Sequence, residues 1–328
     1  MRTSRHFPSL LLVLIALFLM SITSFAGDPG VPFPVDGAIN DQKPGSVLFF
    51  NIYTSSATNT IAENSRINIT NTSATTPVVL HLFFIDGATC TPADFTLCMS
   101  PNYTFSFQAS EYDPGTTGYI MVVAIDSSGC PIVHNALIGN EYVRFESGHA
   151  AALPAESVAA LKAPKCDGST VTVDLNFNGV EYERLPTTLA IDNIPSASDS
   201  NQTMVILNRP SGNFGLGPDR VGFVSGLLFD DNERAFSFSV SSNLCQYRFI
   251  FNNTTPRTVP RFTTVVPTGN SGWVKFFTYN AVPLLGAVIN FNRTATSSTL
   301  AFNGGHNMHK LRLTNSVINI PVFQTICK

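Results

Sequence analysis

The feature that most constrains this chain is a long succession of short apolar or alternating runs, each closed by Gly, Pro, Asn or Asp. In the first half they are 47–53 (VLFFNIY), 66–70 (RINIT), 78–85 (VVLHLFFI), 103–109 (YTFSFQA), 118–125 (GYIMVVAI), 132–138 (IVHNALI) and 141–145 (EYVRF). Aromatic and β-branched residues dominate them, which is the composition of strands. The run 103–109 alternates cleanly, whereas 78–85 is apolar on both faces and reads as a central strand covered on both sides. The second half repeats the pattern at 170–177, 203–208, 221–229, 235–240, 245–251, 261–266, 273–279, 287–292, 298–302, 309–314 and 317–322. No stretch carries the period of a long amphipathic helix. One segment differs: 149–165 (HAAALPAESVAALKAPK) is rich in Ala, and Pro164 stops it, as at the end of a helix.

These runs predict an all-β chain of two tandem β-sandwich domains, immunoglobulin-like or jelly-roll-like, joined by a short helical linker. A chain of 328 residues suits two domains of about 150 residues each. The expected boundaries are 45–148 for the first domain, 149–165 for the linker and 166–328 for the second. Residues 27–44, rich in Pro and Gly and without periodicity, read as a flexible leader. Ahead of them, Arg2 and Arg5 form a positive patch, 10–20 is an apolar stretch too short to span a bilayer, and Ser24-Phe25-Ala26 offers a small-residue cleavage site. Residues 1–26 are therefore expected to be a secretory signal peptide, and no later segment is apolar enough to span a membrane. The expected location is secreted, extracellular or on the cell surface, with the periplasm as the alternative compartment.

Composition agrees with export. Charged residues make up only 12% of the chain, against about a quarter in an ordinary soluble domain, and Ser, Thr and Asn carry the polar surface. The net charge is −3 and no basic cluster appears after the leader, so no nucleic-acid partner is expected. The six cysteines, Cys90, Cys98, Cys130, Cys166, Cys245 and Cys327, are disulfide candidates. Six allow 15 pairings, and spacing does not choose among them. The segment CTPADFTLC reads as a turn that would suit a local Cys90–Cys98 bridge. There is no C-x-x-C pair of the kind that structural zinc sites use.

Chemistry is sparse. His306 and His309 in AFNGGHNMHKLRL (301–313) are the visible metal candidates, and weak ones. Strand alternation past them puts His309 in a row with Leu311 and Leu313 and leaves His306 in the turn after Gly304-Gly305. Odd spacing on a strand places the two on opposite faces, so no metal, cofactor or catalytic residue is expected. His81, His134 and His149 read as core histidines. Asp86, Asp113, Asp126, Asp230, Asp231 and Glu233 lie at strand ends, where carboxylates hold turns. There is no G-x-S-x-G elbow and no phosphate loop.

The blocks HLFFIDGATCTPAD, YDPGTTGYIMVVAID, ALIGNEYVRFESGHAA, PRFTTVVPTGNSGWVKF and AFNGGHNMHKL resemble uncharacterised secreted proteins of environmental bacteria, over most of the chain after the leader. The resemblance implies a bacterial, exported protein and carries no activity. The leading functional expectation is a non-enzymatic extracellular or cell-surface protein with a structural, adhesive or binding role, acting on an unidentified extracellular ligand or surface component. Two alternatives remain. A secreted hydrolase of polysaccharide or peptide would need carboxylates converging in an inter-domain cleft. A glycan-binding module would need an exposed aromatic strip with polar neighbours.

Overall fold

The computed structural model describes residues 39–294 and 303–325. The expected signal peptide, most of the expected leader, the strand expected at 298–302 and Cys327 lie outside the described residues. The described residues belong to one compact unit.

In chain order the strands begin with β1 (Val47–Thr54), β2 (Asn64–Asn71), β3 (Val78–Asp86), β4 (Pro92–Met99), β5 (Tyr103–Gln108), β6 (Thr117–Ile125) and β7 (Leu137–Arg144). Then come β8 (Ala150–Pro154), β9 (Glu156–Val158), β10 (Thr172–Phe177), β11 (Leu185–Pro195), β12 (Asn201–Asn208), β13 (Gly212–Asn213), β14 (Gly217–Pro218) and β15 (Gly222–Phe229). The last are β16 (Ala235–Ser242), β17 (Gln246–Ile250), β18 (Ser271–Thr278), β19 (Leu285–Asn292), β20 (Gly304–Asn307), β21 (His309–Thr314) and β22 (Ser316–Pro321). Two single-turn helices, α1 (Ala109–Tyr112) and α2 (Phe262–Val265), interrupt them.

The strands form five small sheets. Sheet I is β4-β3-β6-β1-β9, sheet II is β5-β2-β7-β8, and sheet III is β10-β22-β13-β14. Sheet IV is β17-β12-β19-β20, and sheet V is β16-β15-β18-β11-β21. They are set like blades, in a propeller-like build, with apolar layers between successive faces. Each blade draws its strands from separated parts of the chain rather than from one consecutive meander.

This corrects the expectation of two tandem β-sandwich domains on a helical linker. One face of sheet I, with Phe49, Phe83 and Tyr119, packs on Leu175, Phe177 and Ile320 of sheet III. The other face, with Leu48, Leu80 and Ile120, packs on Ile67, Ile69 and Phe107 of sheet II. A further cluster joins Ile52, Val143 and Leu153 to Met204, Ile206 and Ile289 of sheet IV, and another fills the space between sheets IV and V. The cores thus run across the two halves of the sequence. The reason is visible in β1, which is buried along its whole length, and in β3, buried at all but its last residue. A sheet apolar on both faces needs two covers, and the first half supplies only one.

The expected linker helix is β8 and β9. Its Ala-rich stretch satisfies its backbone against β7, and the next residues pair with β1. Tertiary pairing overrides an intrinsic helix preference worth only tenths of a kcal/mol per residue. The converse happens at 261–266. Expected as a strand, it contains α2, because Phe262, Val265 and Val266, spaced at helical intervals, all sink into the core between sheets IV and V. Among the described residues seven strands were not expected from sequence: β4, whose segment reads as a turn, β8 and β9 in the expected linker, β11, the two-residue β13 and β14, and β20, expected as a turn.

Two disulfides join distant parts of this fold, Cys90–Cys245 and Cys130–Cys166. The local Cys90–Cys98 bridge is excluded by β4. Cys90 sits in the β3–β4 turn, whereas Cys98 pairs with Val79 at the far end of that hairpin. Cys98 lies six residues beyond Pro92 along β4, a span of about 20 Å. Cys98 is itself disulfide-bonded. No helix among the described residues is long and apolar enough to cross a membrane.

Candidate metal centre and recognition face

The GGHNMH segment crosses from one sheet to another. In β20, His306 pairs with Val288 of sheet IV; in β21, His309 pairs with Ala190 of sheet V. Met308 is the corner, 1% exposed, and its N–H donates to the Gly286 carbonyl. The glycines make the approach possible. Gly304 has φ +131°, closed to side-chain-bearing residues, and a Cβ on Gly305 would lie 2.4 Å from the Val288 oxygen.

The change of sheet undoes the alternation argument. His306 and His309 lie on one side of the corner with ring centroids 5.6 Å apart. His309 and Leu311 face outward rather than into the core, and the register with β11 shifts between Lys310 and Leu313; Lys310 turns inward and pairs with the buried Glu156 carboxylate. The third member of the cluster comes from β11. Asp192 stands two residues beyond Ala190, the partner of His309, in the irregular stretch where the β11–β18 register shifts between Ile191 and Ile194. Its Oδ1 is 3.4 Å from His306 Nε2 and its Oδ2 is 3.6 Å from His309 Nε2. His306 Nδ1 lies 2.8 Å from the Asn307 carbonyl oxygen. An oxygen of that kind can only accept, so Nδ1 carries the ring proton. All three side chains are about half exposed. Asp192 and His306 border an open cavity of about 430 Å³ lined also by Asn193, Pro195, Asn290 and Asn303. Asp192 was not singled out from sequence; its only mark there is a carboxylate breaking the apolar run TTLAIDNIP.

The same outer face of sheet V carries aromatic rings. Trp273 stacks flat on its cross-strand partner Phe229, with centroids 4.1 Å apart and planes within 5°. Farther along, Phe223 and Tyr279 pair at 5.9 Å, with 49% and 66% of their surface exposed. Val274 and Phe276 take the core side, which resolves the ambiguity of the WVKFFTY run. Beside the rings, Ser237, Ser239 and Ser241 of β16 lie opposite Leu227, Ser225 and Phe223. Register carries this face from Ser237 through Leu227, Lys275 and Ala190 to His309.

The other histidines among the described residues are held within the fold. His81 Nε2 lies 2.7 Å from Asp94 on the neighbouring strand. His134 Nε2 is 3.0 Å from Asn71 Oδ1, and burial pulls its pKa down. His149 donates from Nε2 to the Gln202 carbonyl and accepts from Ser147 at Nδ1; burial lowers its pKa against the opposing pull of that carbonyl. The strand-end carboxylates hold their own turns: Asp86 accepts from Ala88 N–H, Asp126 from Ser128 and Cys130, and Asp230 from Asn232 and Arg234.

A buried polar network ties sheets I, IV and V. Asn51 Nδ2 donates to Glu156 Oε1 at 3.0 Å and to Asn307 Oδ1 at 2.9 Å. Asn208 donates to the Asn51 carbonyl, and Gln246 donates to Asn208 Oδ1 and to the Gly118 carbonyl. Burial raises the Glu156 pKa, while Lys310 and Asn51 pull it back down.

No family model and no curated protein matches this chain. Among solved structures, a chain of the cowpea mosaic virus top component, described as naturally occurring empty particles, aligns over 93% of this chain and 98% of its own. Identity is 9% and the TM-score 0.18, a likeness too slight to carry an argument.

Proposed function

We propose that this is an exported, extracellular or cell-surface binding protein of bacterial origin, and that the outer face of sheet V recognises a glycan. The observation that carries the reading is the aromatic row of that face, the half-buried Trp273 and Phe229 with the exposed Phe223 and Tyr279, flanked by the serines of β16. Sugar rings present flat C–H faces that stack on aromatic rings, and their hydroxyls take hydrogen bonds from neighbouring polar groups. Monomeric proteins rarely leave several large rings together on a surface without a use for them. Disulfides at Cys90–Cys245 and Cys130–Cys166 support an oxidising compartment. The turn-holding carboxylates weigh against the hydrolase alternative.

The test is retention of the purified protein on insoluble cellulose, chitin and peptidoglycan, with oligosaccharide titrations to follow. Tyr279→Ala and Phe223→Ala should each weaken retention about five- to ten-fold, the effect of losing roughly 1–1.4 kcal/mol of ring stacking. Their melting temperatures should hold, since both rings stand clear of the core. The glycan reading fails if no polysaccharide retains the protein, or if both variants are retained like the parent. N-terminal sequencing of the exported chain tests the export reading, with Gly27 as the expected first residue.

A further inference from the structure

We infer that Asp192, His306 and His309 form a binding site for a borderline divalent transition-metal ion, zinc(II) foremost, with a coordination position left open to solvent. Three observations support it, independently of any glycan.

The first is spacing. Two ligand atoms held 2.0–2.1 Å from a tetrahedral zinc ion lie ~3.4 Å apart. The two nitrogen–oxygen separations are 3.4 Å and 3.6 Å, and the three ligand atoms fall within 4.8 Å of one another. Both distances are too long for good hydrogen bonds.

The second is the proton inventory. His306 Nδ1 carries its proton toward the Asn307 carbonyl. In the neutral ring Nε2 then presents a lone pair to the Asp192 carboxylate, which also has only lone pairs to offer. Lone pair against lone pair is repulsive, and a cation between them turns the arrangement attractive. A ligating histidine characteristically donates its other ring N–H to a backbone carbonyl, which fixes the tautomer and aims the ring.

The third is the framework. The two histidines sit on paired strands of two sheets, with Met308 buried in the core as the pivot between them, and Asp192 follows in β11 two residues past the Ala190–His309 pair. Ala190, the cross-strand neighbour of His309, is buried, so the ligands rest on rigid elements rather than on a loose loop. Three protein ligands with a cavity of about 430 Å³ alongside leave room for water or a ligand oxygen to complete the shell. Imidazole and carboxylate donors favour zinc-like ions over calcium or magnesium, which take oxygen donors.

The test is calorimetric titration of tag-free, chelator-treated protein with zinc chloride, and with calcium chloride as the hard-ion comparison. One equivalent of zinc is expected to bind, and calcium is not. His306→Ala, His309→Ala and Asp192→Asn should each weaken zinc binding at least ten-fold. Circular dichroism melts should show all three variants folded, because the side chains stand at the surface. Cobalt(II) substitution supplies a second readout, since visible absorption bands of four-coordinate cobalt should appear in the parent and vanish in the variants. The inference is overturned if zinc binding is not saturable, or if all three variants bind zinc as the parent does.

Discussion

Removing the Cys90–Cys245 bridge should cost more stability than removing Cys130–Cys166, and the reason lies in chain length. The two bridges close sequence separations of 155 and 36 residues. In the chain-entropy description a cross-link stabilises by restricting the unfolded chain, by about 5 kcal/mol for the longer loop and about 4 kcal/mol for the shorter at room temperature. With Cys130–Cys166 intact, the covalent path between Cys90 and Cys245 is shorter, which lowers the first figure by only about 0.2 kcal/mol. The predicted difference is therefore about 1 kcal/mol. The comparison is to be made with Cys90→Ala/Cys245→Ala and Cys130→Ala/Cys166→Ala, unfolded in urea. Trp273 fluorescence and circular dichroism should give one coincident transition, and free energies follow by linear extrapolation. Cys90, Cys245 and Cys130 are all buried, so packing losses largely cancel. If the shorter bridge costs as much as the longer, or more, unfolded-state entropy does not govern how these cross-links stabilise the chain.

Two further predictions concern buried charge. Burial raises the Glu141 pKa well above its ordinary value, a backbone contact at Ile52 pulling the other way. A raised carboxyl contributes stability that is fully present below its unfolded pKa, near 4.5, and lost as pH rises through its folded pKa. Glu141→Gln should therefore gain on the parent as pH rises from 5 to 8, in urea melts across that range; a constant offset would refute this. Lys310→Met should cost roughly 3–5 kcal/mol by leaving Glu156 without its cation in the core, and adding Glu156→Gln should recover a large part of the loss. A denaturation double-mutant cycle measures it, and strictly additive losses would show that the pair is not coupled.

Much of the architecture was legible residue by residue. The run 78–85 announced a strand covered on both faces, and β3 is buried so. The run 103–109 announced an alternating strand, and β5 follows it. The Ala-rich 149–165 and the β-branched 261–266 read in opposite directions from what forms, because pairing partners and core position outweigh local propensity at that scale. The histidines were misread for another reason. Alternation holds along one strand in one sheet, and at Met308 the chain leaves sheet IV for sheet V. Asp192 left almost no trace, since its role depends on Ala190 lying opposite His309.

The sequence by itself determined the strand class, the double burial of its central strands, the supply of cysteines and the scarcity of charge. These follow from side-chain chemistry read along the chain, where period and composition are local quantities. Only the tertiary structure decided which sheets share a core, which cysteines meet, and that an aspartate more than 100 residues away faces both histidines. Those are matters of long-range register. One strand pairing brings together residues that no local pattern relates, and a shift of one residue would turn every side chain to the opposite face.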